Sequence, residues 1–192
     1  MPLLLVDLDD TLVDRNATFA RWTDAHPHFR FLHRLPDRWQ LHRLVARLAA
    51  LYERAEPSSY RLEDGVVEAL QAVRRAGWRV AVTTNGNRRT QPAKITSAGL
   101  GPLVDAVVIS SHEGFAKPDP RLFRLAAERA GCSLDGAWAI GDDLTQEIAG
   151  AARLGLRSIW VNPHERPASP DVDLEAGSFP EAVDLLLSVT AR

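Results

Sequence analysis

The sequence predicts an α/β fold, a doubly wound parallel sheet with a small α-helical domain inserted near its start. Short, continuously apolar segments alternate with segments in which apolar residues recur every three to four positions. One long stretch after the first apolar segment shows helical periodicity and no strand pattern. At 192 residues, 45% of them hydrophobic, the chain is long enough to bury one substantial core and a modest second unit.

The predicted strands are five segments whose hydrophobicity is continuous, without alternation between polar and apolar residues. Strands of this kind are covered on both faces, as in a parallel sheet. They span residues 3–6, 80–84, 106–110, 137–141 and 158–161. Parallel strands joined by helices require right-handed crossovers, and ligands of such sheets bind beyond the carboxyl ends of the strands.

Glycine marks the end of each predicted helix between strands, because glycine adopts the left-handed conformation that follows a last helical turn. These helices span residues 66–73, 89–98, 121–130 and 145–154, and the glycines are Gly77, Gly99, Gly131 and Gly155. A final helix is predicted to begin after Ser178 and to extend through Leu187. An N-cap serine, a first-turn proline and the reciprocal capping acid Glu181 occur together at its start.

Residues 15–61 are predicted to form a helical cap, which leaves residues 1–14 and 62–192 for the core. The segment contains a helical stripe made of Leu41, Leu44, Val45, Leu48 and Leu51. Because the insertion follows the first strand, it is expected to lie over the strand ends. At roughly 45 residues it is a small domain.

Composition and charge favour a small-molecule partner. The 23 basic and 25 acidic residues give a formal net charge of -2 with no long run of either sign, which indicates neither nucleic acid nor an anionic membrane as partner. The single cysteine, Cys132, excludes an intramolecular disulfide, and a reducing cytoplasm fits it. The apolar start is too short to span a membrane and lacks the basic flank of a signal peptide. The sequence gives no indication of oligomeric state.

Three carboxylates, Asp7, Asp9 and Asp10, follow the first predicted strand directly. Asp7 and Asp9 are two residues apart and are expected to reach the same pocket. Carboxylates this close raise each other's proton affinity unless a cation intervenes. A bound hard cation and a carboxyl kept protonated both resolve the repulsion, and phosphoryl transfer through an aspartate needs both. Asp10, like Asp14, is interpreted as a solvated loop acid.

Other strand ends supply matching groups. The second strand ends in Thr84 and Asn85, which offer a hydroxyl and a turn with backbone N–H groups suited to phosphoryl oxygens. Lys117 follows the third strand. The fourth strand is followed by Asp142, Asp143 and, one turn later, Glu147. Because the carboxyl ends of parallel strands meet at one edge, these groups are expected to converge.

This ordered set resembles the haloacid dehalogenase superfamily of phosphohydrolases, which have a Rossmann-like core. The family's DxDxT motif matches Asp7-Leu8-Asp9-Asp10-Thr11, and its second motif, a Thr or Ser at a strand end, matches Thr84. Lys117 matches the third motif, and Gly141-Asp142-Asp143 with Glu147 matches the fourth. An insertion between the first two motifs is similar to the helical cap of some members.

The resemblance implies an Mg²⁺-dependent phosphatase that acts on a small phosphorylated metabolite. Asp7 would attack phosphorus to give an aspartyl-phosphate, while Asp9 would protonate the leaving oxygen and then take a proton from water. The Asp7 carboxylate, the Asp9 main-chain carbonyl and Asp142 would hold Mg²⁺. Lys117 would neutralise charge on both the nucleophile and the phosphoryl group.

The resemblance also assigns supporting residues. Thr84 and the Asn85 turn would bind phosphoryl oxygens, and Thr11 would orient the first-motif loop beside them. Glu147 is longer than the Asp often found at its position, so it is expected in the outer shell, contacting a metal-bound water or Lys117. Asp143 either contacts a metal-bound water or begins a helix.

Other functions use similar residues. A phosphomutase of the same superfamily shares these motifs and differs in whether water or substrate receives the phosphoryl group. A receiver module also combines acids, Thr and Lys on a parallel sheet, but its acceptor Asp lies on a later strand than Asp7. A non-catalytic phospho-binding relative is the third alternative, and the intact Asp7, Asp9, Lys117 and Asp142 argue against it.

Overall fold

The computed structural model describes residues 1–14, 18, 60–167 and 172–191. Within these residues, six strands form one sheet in the order β3-β2-β1-β4-β5-β6, and all neighbouring pairs are parallel. The strands are β1 (Leu3–Val6), β2 (Arg79–Thr84), β3 (Ala106–Ile109), β4 (Trp138–Gly141), β5 (Arg157–Val161) and β6 (Leu174–Ala176). The first five confirm the predicted strands to within one residue at each end, and β6 is an addition.

Helices connect these strands, as the alternating pattern predicts. The described helices are α1 (Val66–Arg75), α2 (Thr90–Ser97), α3 (Ser110–Glu113), α4 (Pro120–Arg129), α5 (Ala149–Ala152) and α6 (Phe179–Thr190). A 3₁₀ turn covers Gly101–Leu103 and a π-helical turn covers Leu144–Ile148. The prediction of one continuous helix at 145–154 is therefore wrong in detail, because the segment is divided into the π-helical turn and α5.

The sheet is covered on both faces, which confirms the doubly wound architecture. Successive residues of β1 point to opposite sides, so Leu4 and Val6 pack into a core with α1 and α6. Leu3 and Leu5 pack on the other side with Phe123 of α4. All four β1 side chains are at most 1% exposed, which explains why this strand is apolar without alternation.

The position of β1 determines where a ligand can bind. β1 lies between β2 and β4, and the order of strands along the sheet reverses at the β1–β4 pair. In open α/β sheets, such a reversal opens a crevice beyond the carboxyl ends of the strands. Asp7 and Asp142 directly follow the two strands at this point.

The predicted cap, residues 15–61 with its leucine stripe, lies outside the described residues apart from Thr18, Tyr60 and Arg61. Thr18 Oγ1 donates to the Asp14 carbonyl at 2.7 Å. Tyr60 is 1% exposed and packs in the core with α1 and α6. Across the described part of the chain, every helix is too short or too polar to cross a membrane.

Candidate active site

Asp7 lies at the centre of the candidate site and is almost fully buried. Its backbone N–H donates to the Ile140 carbonyl at 3.0 Å, which continues the pairing of β1 with β4. The ammonium of Lys117 donates to Asp7 Oδ1, and it also donates to the Thr83 carbonyl at 2.9 Å. Lys117 further contacts Glu147 Oε1 at 2.7 Å. One buried ammonium therefore links the carboxylate that follows β1 with a carboxylate from the turn after β4.

Asn85 fixes the loop that delivers Lys117. Its Oδ1 accepts from the Lys117 backbone N–H at 2.9 Å, and its Nδ2 donates to the Lys117 carbonyl at 3.0 Å. The side chain thus imitates a strand neighbour for a segment that lies outside the sheet. The same Nδ2 donates to Gln146 Oε1 at 2.5 Å, which ties the loops after β2, β3 and β4 together.

The π-helical turn brings Glu147 back towards β4. Two amides, those of Glu147 and Ile148, donate to the Asp143 carbonyl at 3.0 and 3.3 Å, and the wider turn arises from the second bond. Glu147 Oε2 accepts from the Asp143 N–H at 2.8 Å. A Cβ added at Gly141 would lie 2.7 Å from the Glu147 Cβ, so only glycine leaves room for this turn.

Asp143 begins the helical turn, which is the second of the two roles left open for it. Its Oδ1 accepts from the N–H groups of Thr145 and Gln146 at 2.8 and 2.9 Å, and Oδ2 accepts from Gln146 Nε2 at 2.8 Å. Burial alone would raise the pKa of Asp143, but these hydrogen bonds hold it below its ordinary value. The carboxylate is therefore fixed as an ionised cap.

Asp142 is held through its main chain from β5 and the loop that follows it. Its carbonyl accepts from Trp160 Nε1 at 2.9 Å and from Arg166 Nη2 at 2.8 Å. The Arg166 guanidinium lies 5.0 Å from the centre of the Trp160 ring, so the two donors support each other. These contacts orient the backbone that carries the Asp142 carboxylate.

Two acids share one ammonium at the centre of the site, and their pKa values reflect it. Burial raises the pKa of Asp7, opposed by Lys117. Burial also raises the pKa of Glu147, to about 8. Burial alone would lower the pKa of Lys117, but the charges of Asp7 and Glu147 raise it above the ordinary lysine value. The cluster therefore retains a charged lysine and a strong affinity for a further positive charge.

That further charge fits a hard cation. Carboxylate oxygens of Asp7, Asp142 and Glu147 lie within 4.8 Å of one another. All three donors are oxygens, which is the ligand set that Mg²⁺ prefers. Glu147 lies within this cluster rather than beyond it, at the same time as it contacts Lys117.

Asp9 is held by a second set of donors, different from the one that contacts Asp7. Lys94 Nζ contacts Asp9 Oδ1 at 2.7 Å, and Gln91 Nε2 donates to Asp9 Oδ2 at 2.8 Å. Gln91 Nε2 also donates to Thr84 Oγ1 at 2.5 Å. The predicted phosphoryl-binding hydroxyl of Thr84 is thus fully buried against Gln91. Thr11 Oγ1 is buried with no hydrogen-bond partner among the described residues.

A pocket of about 190 Å³ opens over these groups. Five predicted acids line it together with Lys117, Asn85 and Gln146. The five acids are Asp7, Asp9, Asp142, Asp143 and Glu147. Thr11 and Thr84, both buried, are not among the residues that line it. A larger cavity of about 380 Å³ adjoins it through Asp142 and extends towards Asp10 and Arg166.

Sequence reasoning missed Gln91 and Lys94. Both lie on α2, at a spacing of three residues, and are at most 2% exposed. The buried face of α2 consists of Thr90, Gln91 and Lys94, and not of an apolar stripe. A helix whose inward face is polar must pack against polar partners, and this was the available signal.

The protein is an α/β protein with a parallel sheet. Its candidate site, a buried cluster of acids and a lysine, lies beyond the central strand β1, where the order of strands reverses. Comparison with known proteins gives the family. A family model for haloacid dehalogenase-like hydrolases matches residues 30–155, more than half of the sequence. The chain belongs to this family.

Curated relatives carry phosphatase names. A phosphoserine phosphatase of Thermus thermophilus is 38% identical over 114 residues, covering 58% of this chain and 46% of that protein. A glyceraldehyde 3-phosphate phosphatase of Pyrococcus abyssi is 29% identical over 133 residues, covering 69% of this chain and 56% of that protein. The chain thus spans about half the length of the curated relatives it matches.

Solved structures show the same fold over nearly the whole chain. A HAD phosphatase from Thermococcus onnurineus superposes with a TM-score of 0.73 at 21% identity, covering 97% of this chain and 98% of that chain. The HAD-hydrolase YfnB of Bacillus subtilis, in a structure bound to magnesium, gives a TM-score of 0.72 at 22% identity, covering 98% and 97%. At these identities the likeness concerns the fold.

Proposed function

We propose that the protein is an Mg²⁺-dependent phosphatase that hydrolyses a small-molecule phosphate monoester through an aspartyl-phosphate on Asp7. One observation carries the proposal: Asp7 is buried beside the ammonium of Lys117, with carboxylate oxygens of Asp142 and Glu147 within 4.8 Å of its own. A buried carboxylate flanked by an ammonium and a cation site is equipped to receive a phosphoryl group.

The first step transfers the phosphoryl group to the protein. A carboxylate oxygen of Asp7 bonds to phosphorus as the bond to the ester oxygen breaks, and Asp9 gives its proton to that leaving oxygen. In the second step, water attacks phosphorus and gives a proton to Asp9, and the bond between Asp7 and phosphorus breaks. Inorganic phosphate leaves, and both acids return to their starting states.

Lys117 and the cation site would neutralise the negative charge that develops on the phosphoryl group during transfer. Mg²⁺ would be held by the carboxylates of Asp7 and Asp142 and the Asp9 carbonyl, with Glu147 within reach, and it would neutralise charge on the phosphoryl oxygens. Lys117 lies against Asp7 and supplies the second positive charge. The phosphoryl-binding roles of Thr11, Thr84 and the Asn85 turn stay predictions.

The names of the relatives and the size of the pocket together support a small phosphorylated metabolite as the substrate class. The relatives named above are phosphatases of phosphoserine and of glyceraldehyde 3-phosphate, and a third, from Escherichia coli, is a pyrimidine 5′-nucleotidase. The pocket of about 190 Å³ suits a phosphoryl group, with the remainder of a small metabolite outside it. Residues 15–61, as a cap, would enclose that remainder. The cytoplasmic location stays a prediction from the single cysteine.

A panel of phosphate esters tests the proposal. The wild-type protein is incubated with phosphoserine, glyceraldehyde 3-phosphate and a pyrimidine 5′-nucleotide, with Mg²⁺ or with EDTA, and free phosphate is measured. We expect hydrolysis of at least one ester that requires Mg²⁺. Asp7→Asn should lower kcat by at least about 10³-fold, because the amide is a poor nucleophile.

Asp10→Asn is the matched control. Asp10 lies in the same loop with a φ of 59°, a left-handed conformation that Asn tolerates well. We expect it to retain wild-type kcat within about threefold. Activity that survives Asp7→Asn would refute the aspartyl-phosphate route. Phosphorus NMR that shows an isomeric ester in place of free phosphate would identify a phosphomutase instead.

A further inference from the structure

We propose that Gln91 and Lys94, on α2, are positioning residues that hold the Asp9 carboxylate in place for proton transfer to the leaving oxygen. The inference rests on the proposed function, in which Asp9 is the general acid and base. Neither residue belongs to the four sequence motifs. The proposal gives helix α2, which carries both residues, a role beyond packing against the sheet.

Each carboxylate oxygen of Asp9 accepts a hydrogen bond from one of the two residues. Lys94 Nζ contacts Oδ1 at 2.7 Å, and Gln91 Nε2 donates to Oδ2 at 2.8 Å. The two donors come from adjacent turns of one helix, so the plane of the carboxylate is fixed by a rigid element. Asp9 itself remains partly accessible, with 16% of its side chain exposed, on the wall of the 190 Å³ pocket.

Lys94 is a costly residue at its position. Its side chain is 2% exposed, and an ammonium taken out of water is destabilising unless it is paired. Its charge is met by Asp9 and by the ring of Tyr60, whose centre lies 4.8 Å away. An apolar side chain of the same length would fill the same space without this desolvation penalty. The ammonium is therefore better explained by what it does to Asp9 than by packing.

Gln91 links the proton-transfer group to the second motif. Its Nε2 donates both to Asp9 Oδ2 and to Thr84 Oγ1, at 2.8 and 2.5 Å. Gly86 leaves room for this side chain, since a Cβ there would lie 2.5 Å from the Gln91 Cγ and Cδ. The Gln91 amide and the Lys94 ammonium thus both hold the Asp9 carboxylate, and Gly86 leaves the space that Gln91 occupies.

Fixing Asp9 matters because general acid catalysis depends on distance and orientation. A proton donor must lie within hydrogen-bond reach of the leaving oxygen, and misplacement by about 1 Å can cost 10²-fold in rate. Each Asp9 oxygen keeps a second lone pair, so Asp9 can carry the proton and give it to the leaving oxygen while it accepts both hydrogen bonds, and Gln91 and Lys94 keep their own protons throughout. The two residues therefore act on the rate through the position of Asp9.

Leaving-group dependence separates this role from a structural one. An alkyl phosphate loses a poor leaving group and needs the proton, whereas p-nitrophenyl phosphate loses a stable phenolate and needs it little. We expect Lys94→Met to lower kcat/KM on the best alkyl substrate by about 100-fold, and on p-nitrophenyl phosphate by less than about threefold. The comparison uses kcat/KM because this constant reports the step in which the ester oxygen leaves, whereas kcat also contains hydrolysis of the aspartyl-phosphate, in which Asp9 takes a proton for both esters alike.

Two further variants sharpen the test. Gln91→Met should show the same selectivity with a smaller loss of about tenfold, because it removes one neutral hydrogen bond. Lys94→Arg should recover part of the alkyl activity, since it restores a charged donor. Ile95→Val is the control, because it loosens packing on the same helix without reaching Asp9. Thermal unfolding of each variant reports on folding.

Each outcome decides one question. Wild-type protein that hydrolyses no phosphate ester with Mg²⁺ refutes the proposed function. An active wild type whose Lys94→Met variant lowers kcat/KM for alkyl and aryl esters equally overturns the positioning role. If Lys94→Met does not fold, Gln91→Met decides by the same ratio of alkyl to aryl kcat/KM.

Discussion

Two buried lysines each hold an acid that follows β1, and they do so in different settings. Lys117 comes from a loop and lies between Asp7 and Glu147, with a further bond to the Thr83 carbonyl. Lys94 comes from a helix and contacts Asp9. The two lysine side chains are 1% and 2% exposed. Two carboxylates that would repel each other at one strand end are thus assigned to separate ammonium groups.

The difference lies in the acids that surround each ammonium. Lys117 faces two carboxylates, and Asp142 lies close to both of them, so this side of the site keeps excess negative charge. Excess charge in a buried place attracts a cation, which the proposed phosphoryl transfer requires there. Asp9 stands outside this group of three acids and is held by Lys94 and Gln91, which suits its proposed role in proton exchange.

Removing Lys117 is the strongest test of this comparison. Lys117→Met leaves two buried carboxyls without their ammonium and removes a positive charge from the phosphoryl site. We expect kcat to fall by about 10³-fold on alkyl and aryl esters alike, since the charge serves phosphorus and not the leaving group. Steady-state kinetics on both esters, with thermal unfolding as a folding control, measures this.

The two lysine variants must differ in kind for the comparison to hold. A Lys117→Met variant that spared p-nitrophenyl phosphate, as we expect of Lys94→Met, would show that the two lysines do the same work. Equal losses on both esters for Lys117→Met alone support the division into a charge-neutralising lysine and a positioning lysine.

The excess charge around Lys117 also predicts how stability depends on pH. Because burial raises the pKa of Glu147 from 4.5 to about 8, the folded protein holds a proton that the unfolded chain releases. This stabilisation is complete below pH 4.5 and is lost as the pH rises through about 8. Since each pH unit between the two pKa values corresponds to about 1.4 kcal/mol, and the range from pH 5 to the folded pKa of about 8 covers three units, we expect a loss on the order of 4 kcal/mol between pH 5 and 9.

Urea unfolding in EDTA measures this dependence on the metal-free protein. Glu147→Gln has no carboxyl to protonate, so its free energy of unfolding should vary less between pH 5 and 9 than that of the wild type. The same slope in both proteins would mean that Glu147 takes up no proton in the folded protein over this range, and the argument that burial raises its pKa would fail. Added Mg²⁺ should flatten the wild-type curve, because the cation replaces the proton.

The parts of the molecule that the sequence predicted share a local signature. Strands covered on both faces appear as continuous apolar runs, and polar groups at their carboxyl ends follow at once, as Asp7, Lys117 and Asp142 do. β6 was missed because it is a three-residue strand in which an exposed glutamate, Glu175, separates the other two residues. Only pairing with β5 makes it a strand.

The parts that the sequence did not predict depend on contacts between distant segments. The π-helical turn exists because Glu147 must reach both Lys117 and the Asp143 amide, and helical periodicity does not register one widened turn. Gln91 and Lys94 are separated from Asp9 by more than eighty positions, and no spacing rule joins them. Acids are visible in a sequence as motifs, whereas their counter-charges become visible through packing.

A glycine-to-alanine substitution can be made on each side of the comparison, at Gly141 beside Glu147 and at Gly86 beside Gln91. Gly141→Ala places a Cβ 2.7 Å from the Glu147 Cβ, an atom fixed to the backbone, so the π-helical turn must shift. Gly86→Ala places one 2.5 Å from the Gln91 Cγ and Cδ, which lie on a side chain that can rotate away. We expect Gly141→Ala to lower the free energy of unfolding by about 2 kcal/mol and Gly86→Ala by less than about 1 kcal/mol.

The same pair should differ in kinetics. Gly141→Ala displaces Glu147 from Lys117 and should lower kcat/KM for alkyl and aryl esters together. Gly86→Ala displaces Gln91 from Asp9 and should lower kcat/KM for alkyl esters by about tenfold while sparing p-nitrophenyl phosphate. Stability and both rate ratios can be measured on the same preparations. If Gly86→Ala is the more destabilising variant, or if it slows both esters alike, the Gln91 side chain is a packing element and the Asp9 side of the comparison is wrong.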